Sequence, residues 1–288
     1  MQLFYVNSLM SGPVWTLPNS TEVPVVILAG GKGFRMREVT ETYPKALAPV
    51  GPIPVIVHVM QIYIHFGFMR FIICLGYKGD AIKEYFMNYP WRSADFRVKL
   101  GTQTSVVESG SHVLDDADIT FVDTGLDTNT GGRIKRIERF IETDHFLANY
   151  CDGLSDVDVR RVHEFHREMG KKATLVAVRP MSRYGIVTIK DGLALDFKEK
   201  PALDDYVNGG YFVFDKCVFD YLDDNCILER EPLRKLAAEG QLSAYKHDGF
   251  WFAMDTYKEF EELNSFWETG VMPTIGYKGK PPWLRSPL

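Results

Sequence analysis

Along this chain, short apolar runs alternate with stretches whose apolar positions recur every three to four residues, the pattern of buried strands followed by amphipathic helices. Val25, Val26, Ile27 and Leu28 are continuously apolar and predict a first strand buried on both faces. Residues 53–66 put Val55, Val59, Ile62 and Phe66 on one face of a predicted helix. Strands are expected over 71–75, 118–122, 146–150 and 173–178, with helices over 79–87, over 130–138 and around His163 and His166. Such repetition builds a mostly parallel α/β sheet. Beyond residue 178 the rhythm changes. Residues 185–189 and 193–197 flank Asp191-Gly192, a hairpin signature, and predict that the sheet gains antiparallel strands there. A strand over 211–214, a helix over 231–239, a strand over 243–247 and a helix over 256–267 complete the order. No repeat or clear linker interrupts it. Residues 1–22 therefore read as an N-terminal extension and 23–288 as a single domain.

The 288 residues carry ordinary apolar content, enough for a sizeable core, and a formal charge of −5. That balance argues against a nucleic-acid or membrane-surface partner, either of which would normally meet a basic face. No run approaches the ~18 apolar residues of a membrane span, and residues 1–22 lack the basic and apolar regions of a secretory leader. Cys74, Cys151, Cys217 and Cys226 are scattered without C-x-x-C pairs, so no zinc site or disulfide framework is indicated and a reducing cytoplasm is expected.

The first strand runs directly into Ala29-Gly30-Gly31-Lys32-Gly33-Phe34-Arg35, with Pro44-Lys45 shortly after. Glycines let a backbone approach polyphosphate closely and aim its N–H groups at the oxygens, while Arg35 and Lys45 supply charge. The spacing matches neither a P-loop nor G-x-G-x-x-G, since position 36 is Met36. A plain glycine turn between strand and helix remains open. Two further polar groups fall where strands should end, the end at which ligands collect in open α/β sheets. These are Asp152, after the strand over 146–150, and Asp255, after Phe250-Trp251-Phe252. Two carboxylates with substrate phosphates suffice to hold Mg²⁺, but Asp-Gly is also a common turn and Asp-Thr a common helix start. Lys200, in Glu199-Lys200-Pro201, taken alone is a solvated lysine. His163 and His166 lack a third ligand nearby, and Asp115, Asp116 and Asp118 read as a solvated loop.

Taken together, these motifs resemble the sugar-1-phosphate nucleotidyltransferases. The general signature is Leu28 to Arg35 with Pro44-Lys45, an Asp after a middle strand (Asp152), and Glu199-Lys200-Pro201. The branch using CTP is suggested by Gly76-Tyr77-Lys78-Gly79, Val122-Asp123-Thr124-Gly125, Thr130-Gly131-Gly132-Arg133, Asp152-Gly153-Leu154-Ser155-Asp156, Asn208-Gly209-Gly210 and Met254-Asp255-Thr256. The resemblance spans about residues 24 to 273. It implies a Rossmann-like, mostly parallel mixed sheet flanked by helices with a small antiparallel insertion, and Mg²⁺-dependent transfer of a nucleotidyl group from CTP to glucose 1-phosphate. By the same resemblance Leu28, Ala29, Gly30, Gly31, Lys32, Gly33, Phe34, Thr128, Arg133 and Cys151 lie at the nucleotide, and Arg35 and Lys45 hold its phosphates. Asp152 and Asp255 hold Mg²⁺, while Gly185, Glu199, Lys200 and Asn208 face the sugar phosphate. A homo-oligomer is also implied.

The chain departs from the family pattern in three places. Phe34 replaces a usual threonine, Ala46 a usual proline and Cys151 a usual glycine. Phe34 removes a hydroxyl that can bond phosphate, and both Phe34 and Cys151 add bulk beside the expected nucleotide. The same chemistry with UTP or dTTP, another phosphorylated acceptor, or a non-catalytic nucleotide-sugar sensor are the readings left beside the first.

Overall fold

The structure is a computed structural model that describes residues 22–101, 104–107, 113–182 and 184–284. The expected extension over 1–22 therefore lies almost wholly outside the described residues. A seven-stranded sheet forms the centre, built from β1 (Val25–Leu28), β2 (Arg70–Leu75), β3 (Asp118–Asp123), β4 (His145–Tyr150), β5 (Ala173–Val178), β6 (Val207–Asp215) and β7 (Leu242–His247). Its spatial order is β7-β5-β6-β4-β1-β2-β3. Every pairing is parallel except those of β6 with β4 and β5, so the sheet is mostly parallel and mixed, as the sequence implies.

Side chains alternate across a strand, and here the alternation separates two cores. Val25 and Ile27 enter one core with helix α1 (Val55–His65), and Val26 and Leu28 enter the other with α3 (Thr130–Arg136). Helix α2 (Gly79–Met87) sends Ile82 into the first core, as do α4 (Val159–Met169) with Val162 and α6 (Tyr257–Thr269) with Leu263 and Phe266. Helix α5 (Glu231–Ala238) covers the second with Leu233 and Leu236. Strands buried on both faces explain why β1 and β2 read as unbroken apolar runs.

The hairpin of the sequence analysis forms, over Ile186–Lys190 and Leu193–Lys198, but it pairs only with itself and does not join the main sheet. All eleven of its strand residues are exposed, so neither face has a core to bury. The antiparallel member of the main sheet is β6 instead. A further small pairing, Gly153–Ser155 with Trp251–Ala253, was not foreseen and sets the geometry of the cleft. Ala253 pairs with Gly153 and the Met254 amide donates to the Asp152 carbonyl at 3.0 Å, so the residues on either side, Asp152 and Asp255, are brought together.

The histidines sit in the buried interior. His163 and His145 share a hydrogen bond between their Nε2 atoms at 2.6 Å, and His166 contacts Thr174 and Asp215 at 2.8 and 3.1 Å. Burial pushes the His163 pKa down to about 4, helped by the neighbouring His145 and His166. No helix among the described residues is long and apolar enough to cross a membrane.

Candidate active site

The glycine-rich loop leaves β1 under tight backbone control. The Ala29 amide donates to the Cys74 carbonyl at 3.0 Å, and Gly33 takes a left-handed conformation (φ 61°) before the turn Phe34–Met36. The buried Arg133 guanidinium fixes the rest. It donates to the Gly30 carbonyl at 2.9 Å, the Leu75 carbonyl at 2.9 Å, the Gly125 carbonyl at 2.8 Å and Thr124 Oγ1 at 2.8 Å. One side chain thus ties together the segments that follow β1, β2 and β3. A Cβ on Gly30 would lie 2.1 Å from Arg133 Nη1, and one on Gly76 would lie 2.6 Å from the Gly30 carbonyl oxygen. Both glycines make room for this guanidinium and for close backbone approach.

A charged pole lies beside the loop. The Lys45 ammonium bonds to Asp152 Oδ2 and, at 2.9 Å, to Asp255 Oδ1, which Arg35 approaches at 3.3 Å. Lys45 and Asp152 are only 14% and 18% exposed, so their attraction is poorly screened. Burial opposes charge on Lys45, yet Asp152 and Asp255 together hold its pKa above the ordinary lysine value. Burial and the adjacent Asp152 push the Cys151 thiol up to about 12, which keeps it neutral. Asp255 is placed by a helix start: Thr256 caps α6 in a capping box with Glu259, whose carboxylate accepts from the Asp255 amide at 2.8 Å.

These groups line a cleft of about 740 Å³, within the range that takes a nucleotide-sized ligand. Of the residues the sequence singled out, Leu28, Ala29, Gly31, Gly33, Phe34 and Arg35 line it, as do Lys45, Thr128, Arg133, Cys151, Asp152, Asn208 and Asp255. Gly30 is turned to Arg133, and Lys32 pairs with Asp127 at 2.6 Å. Gly185, Glu199 and Lys200 are not brought to the lining. Gly185 packs at the foot of the exposed hairpin, where a Cβ would lie 2.5 Å from the Phe197 ring, and Lys200 lies 3.7 Å from Glu199. Phe34 is 64% exposed and borders the cleft. The sequence reading missed Asn129, Thr130, Tyr150 and Glu229, together with Gly209, Gly210 and Trp251. Thr130, Gly209 and Gly210 stood within motifs quoted from the sequence, Trp251 in the apolar run before Asp255 and Tyr150 two residues before Asp152, whereas Asn129 and Glu229 carried no signal.

A glycine loop, two cations and two converging carboxylates at the strand ends of a mixed parallel sheet define a nucleotide-handling α/β transferase. Residues 24–269 match the nucleotidyl transferase family, and the chain belongs to it. It is 43% identical over 247 residues to the probable glucose-1-phosphate cytidylyltransferase of Bacillus subtilis (strain 168), covering 85% of this chain and 96% of that protein. It is 40% identical over 261 residues to the glucose-1-phosphate cytidylyltransferase of Salmonella typhimurium, covering 90% and 97%. The fold is similar to that of HddC from Yersinia pseudotuberculosis, with a TM-score of 0.63 at 21% identity, covering 84% of this chain and 98% of that one. The protein is thus a family enzyme whose fold and recognition signature were both legible in its motifs.

Proposed function

We propose that this enzyme transfers a cytidylyl group from CTP to a sugar 1-phosphate, glucose 1-phosphate by the similarity described above, and releases pyrophosphate. The observation that carries the reading is the convergence of Asp152 and Asp255 on Lys45 beside the glycine loop. A phosphate oxygen of the sugar 1-phosphate attacks the α-phosphorus of CTP, the bond from that phosphorus to the bridging oxygen breaks, and its electrons leave with pyrophosphate. No protein nucleophile is required, so catalysis rests on alignment and on charge neutralisation.

The loop from Ala29 to Gly33 offers backbone N–H groups to the triphosphate. Arg35 and Lys45 balance its charge, and Lys45 has three donors, of which two are engaged by the carboxylates. The donor set fits Mg²⁺: two carboxylates already reach one cationic centre, and no third metal-ligating side chain joins them among the described residues, leaving positions for phosphate oxygens. When bound, the ion neutralises charge on the reacting phosphate oxygens. The acceptor side of the cleft is assigned to Asn208, Gly209 and Gly210 with Trp251, whose indole donates to the Gly209 carbonyl at 2.8 Å.

The test is pyrophosphate release with each of the four nucleoside triphosphates against a panel of sugar 1-phosphates and Mg²⁺. CTP with glucose 1-phosphate is expected to give the highest kcat/KM, and absence of release from CTP with any acceptor overturns the reading. Asp152→Asn keeps the shape and removes the charge, so turnover should fall at least about a hundredfold, the equivalent of roughly 3 kcal/mol of lost stabilisation. Activity within a few-fold of the parent would overturn the carboxylate assignment.

A further inference from the structure

The cleft wall also holds a carboxylate that is not bonded to the Lys45 cluster. Glu229 lines the cleft and is exposed, and its two oxygens accept from Thr130 Oγ1 at 2.8 Å and from the Tyr150 hydroxyl. Tyr150, which bonds Glu229, and Cys151, which precedes Asp152, point to opposite faces of the sheet. Cys151, next to Asp152, belongs to the first core, whereas Tyr150 packs on the second. A negative group here repels a triphosphate and suits a neutral group that donates hydrogen bonds.

Its orientation is built in. Thr130 Oγ1 accepts from the Leu228 amide at 3.0 Å, which leaves its own proton for Glu229. The segment carrying Glu229 is docked on the start of α3 by paired bonds between Asn129 and Asn225 at 3.0 Å. A Cβ on Gly132 would lie 2.4 Å from the Asp224 carbonyl oxygen, so the docking requires a glycine there. Two donors engage only part of the capacity of a carboxylate, which offers about four lone-pair sites.

We propose that Glu229 reads the nucleobase, its carboxylate accepting a hydrogen bond from the 4-amino group of cytosine. This inference rests on the cytidylyl reading of the same cleft. Cytosine presents a donor at its 4-position and uracil an acceptor, so a fixed carboxylate pairs with one and repels the other. Sites that hydrogen-bond a specific substrate group reject an analogue lacking it, because the protein group is then left unpaired.

The experiment compares kcat/KM and equilibrium binding for CTP and UTP in the parent, Glu229→Gln and Glu229→Ala, with KM for the sugar 1-phosphate measured alongside. Glutamine can turn its amide donor toward the uracil 4-oxygen. The ratio of CTP to UTP use should fall about 10- to 100-fold in Glu229→Gln. In Glu229→Ala, CTP binding should weaken and UTP binding should improve modestly as the repulsion is relieved, so the ratio of CTP to UTP use falls there too. An unchanged ratio in an enzyme that prefers CTP overturns the role of Glu229 alone, and a selective rise in the sugar-phosphate KM with that ratio intact assigns Glu229 to the acceptor instead. A parent that releases no pyrophosphate from CTP overturns the cytidylyl reading, and this inference with it. Circular dichroism and unfolding midpoints of both variants separate misfolding from a change of preference, and the direct binding ratio decides the matter where turnover is too weak.

Discussion

Replacing Arg133 with methionine keeps an unbranched chain in place and removes every donor. The side chain is 4% exposed, so water does not substitute freely for it. Five bonds from a charged donor are lost, one of them a long 3.4 Å contact to the Leu126 carbonyl; the four short ones contribute about 1.5 kcal/mol each, for a gross loss of about 6 kcal/mol. Two acceptors keep backbone partners: the Leu75 carbonyl still accepts from the Thr124 amide at 3.0 Å, and the Gly30 carbonyl from the Tyr77 amide at 3.2 Å. Counting these as roughly half compensated, and crediting the removal of a buried charge, the net destabilisation should be about 3 kcal/mol. For urea unfolding with a slope of about 2 to 3 kcal/mol/M, the midpoint should drop by about 1 M with the slope unchanged. KM for the nucleotide should rise in the folded variant, because the loop at Gly30 loses its tether. Arg133→Lys should fall between the two, since an ammonium cannot span three strand ends. A midpoint shift below about 0.3 M would refute the reasoning and show that the carbonyls are satisfied without the guanidinium.

Stability should also fall with acid. Burial pushes His58 and His163 down to about 4, below the ordinary 6.5. The unfolded chain therefore binds the extra protons as pH drops, so this contribution is complete above about pH 6.5 and is lost steadily toward pH 4. At pH 5 the two together predict a loss of about 3 to 4 kcal/mol relative to pH 7.5, read from unfolding midpoints across the range. Midpoints that stay level or rise between those values would contradict neutral buried imidazoles. Gly51→Ala should destabilise by about 2 to 4 kcal/mol, because φ is +61° and a Cβ would lie 2.3 Å from the Trp267 ring. Differential scanning calorimetry should show a Tm drop of several degrees, and an unchanged Tm would mean that the indole yields without cost.

What the sequence made legible follows from how each part is buried. The core strands were readable because β1 and β2 are covered on both faces, which leaves uninterrupted apolar runs. Helix α2 was placed residue for residue by its flanking glycine and its periodicity. The hairpin at 186–198 was recognised by its turn, but its alternating residues gave no sign that they would remain exposed, so its membership of the main sheet was misread. At the site, Asp152 and Asp255 were readable because each follows a strand, and Lys45 because it follows a proline shortly after the glycine loop. Glu229 was invisible, since it lies in a polar loop and gains meaning only when that loop docks on Asn129 and Thr130. Arg133 was legible as a cleft residue, while its function as a clamp depends on carbonyls from three separate segments.

The ion pairs around the cleft mouth have a kinetic consequence. Lys32 is matched by Asp127, Arg35 by Asp255, and Lys45 by Asp152 and Asp255, in a chain with a formal charge of −5. These three cations and three carboxylates cancel, so this cluster exerts little pull on a distant triphosphate. On the proposed reading, capture of the nucleotide would proceed by exchange, arriving phosphates trading places with the carboxylates now paired to these cations. Its on-rate should respond only weakly to ionic strength, and its selectivity should be decided after encounter, in the rate of departure.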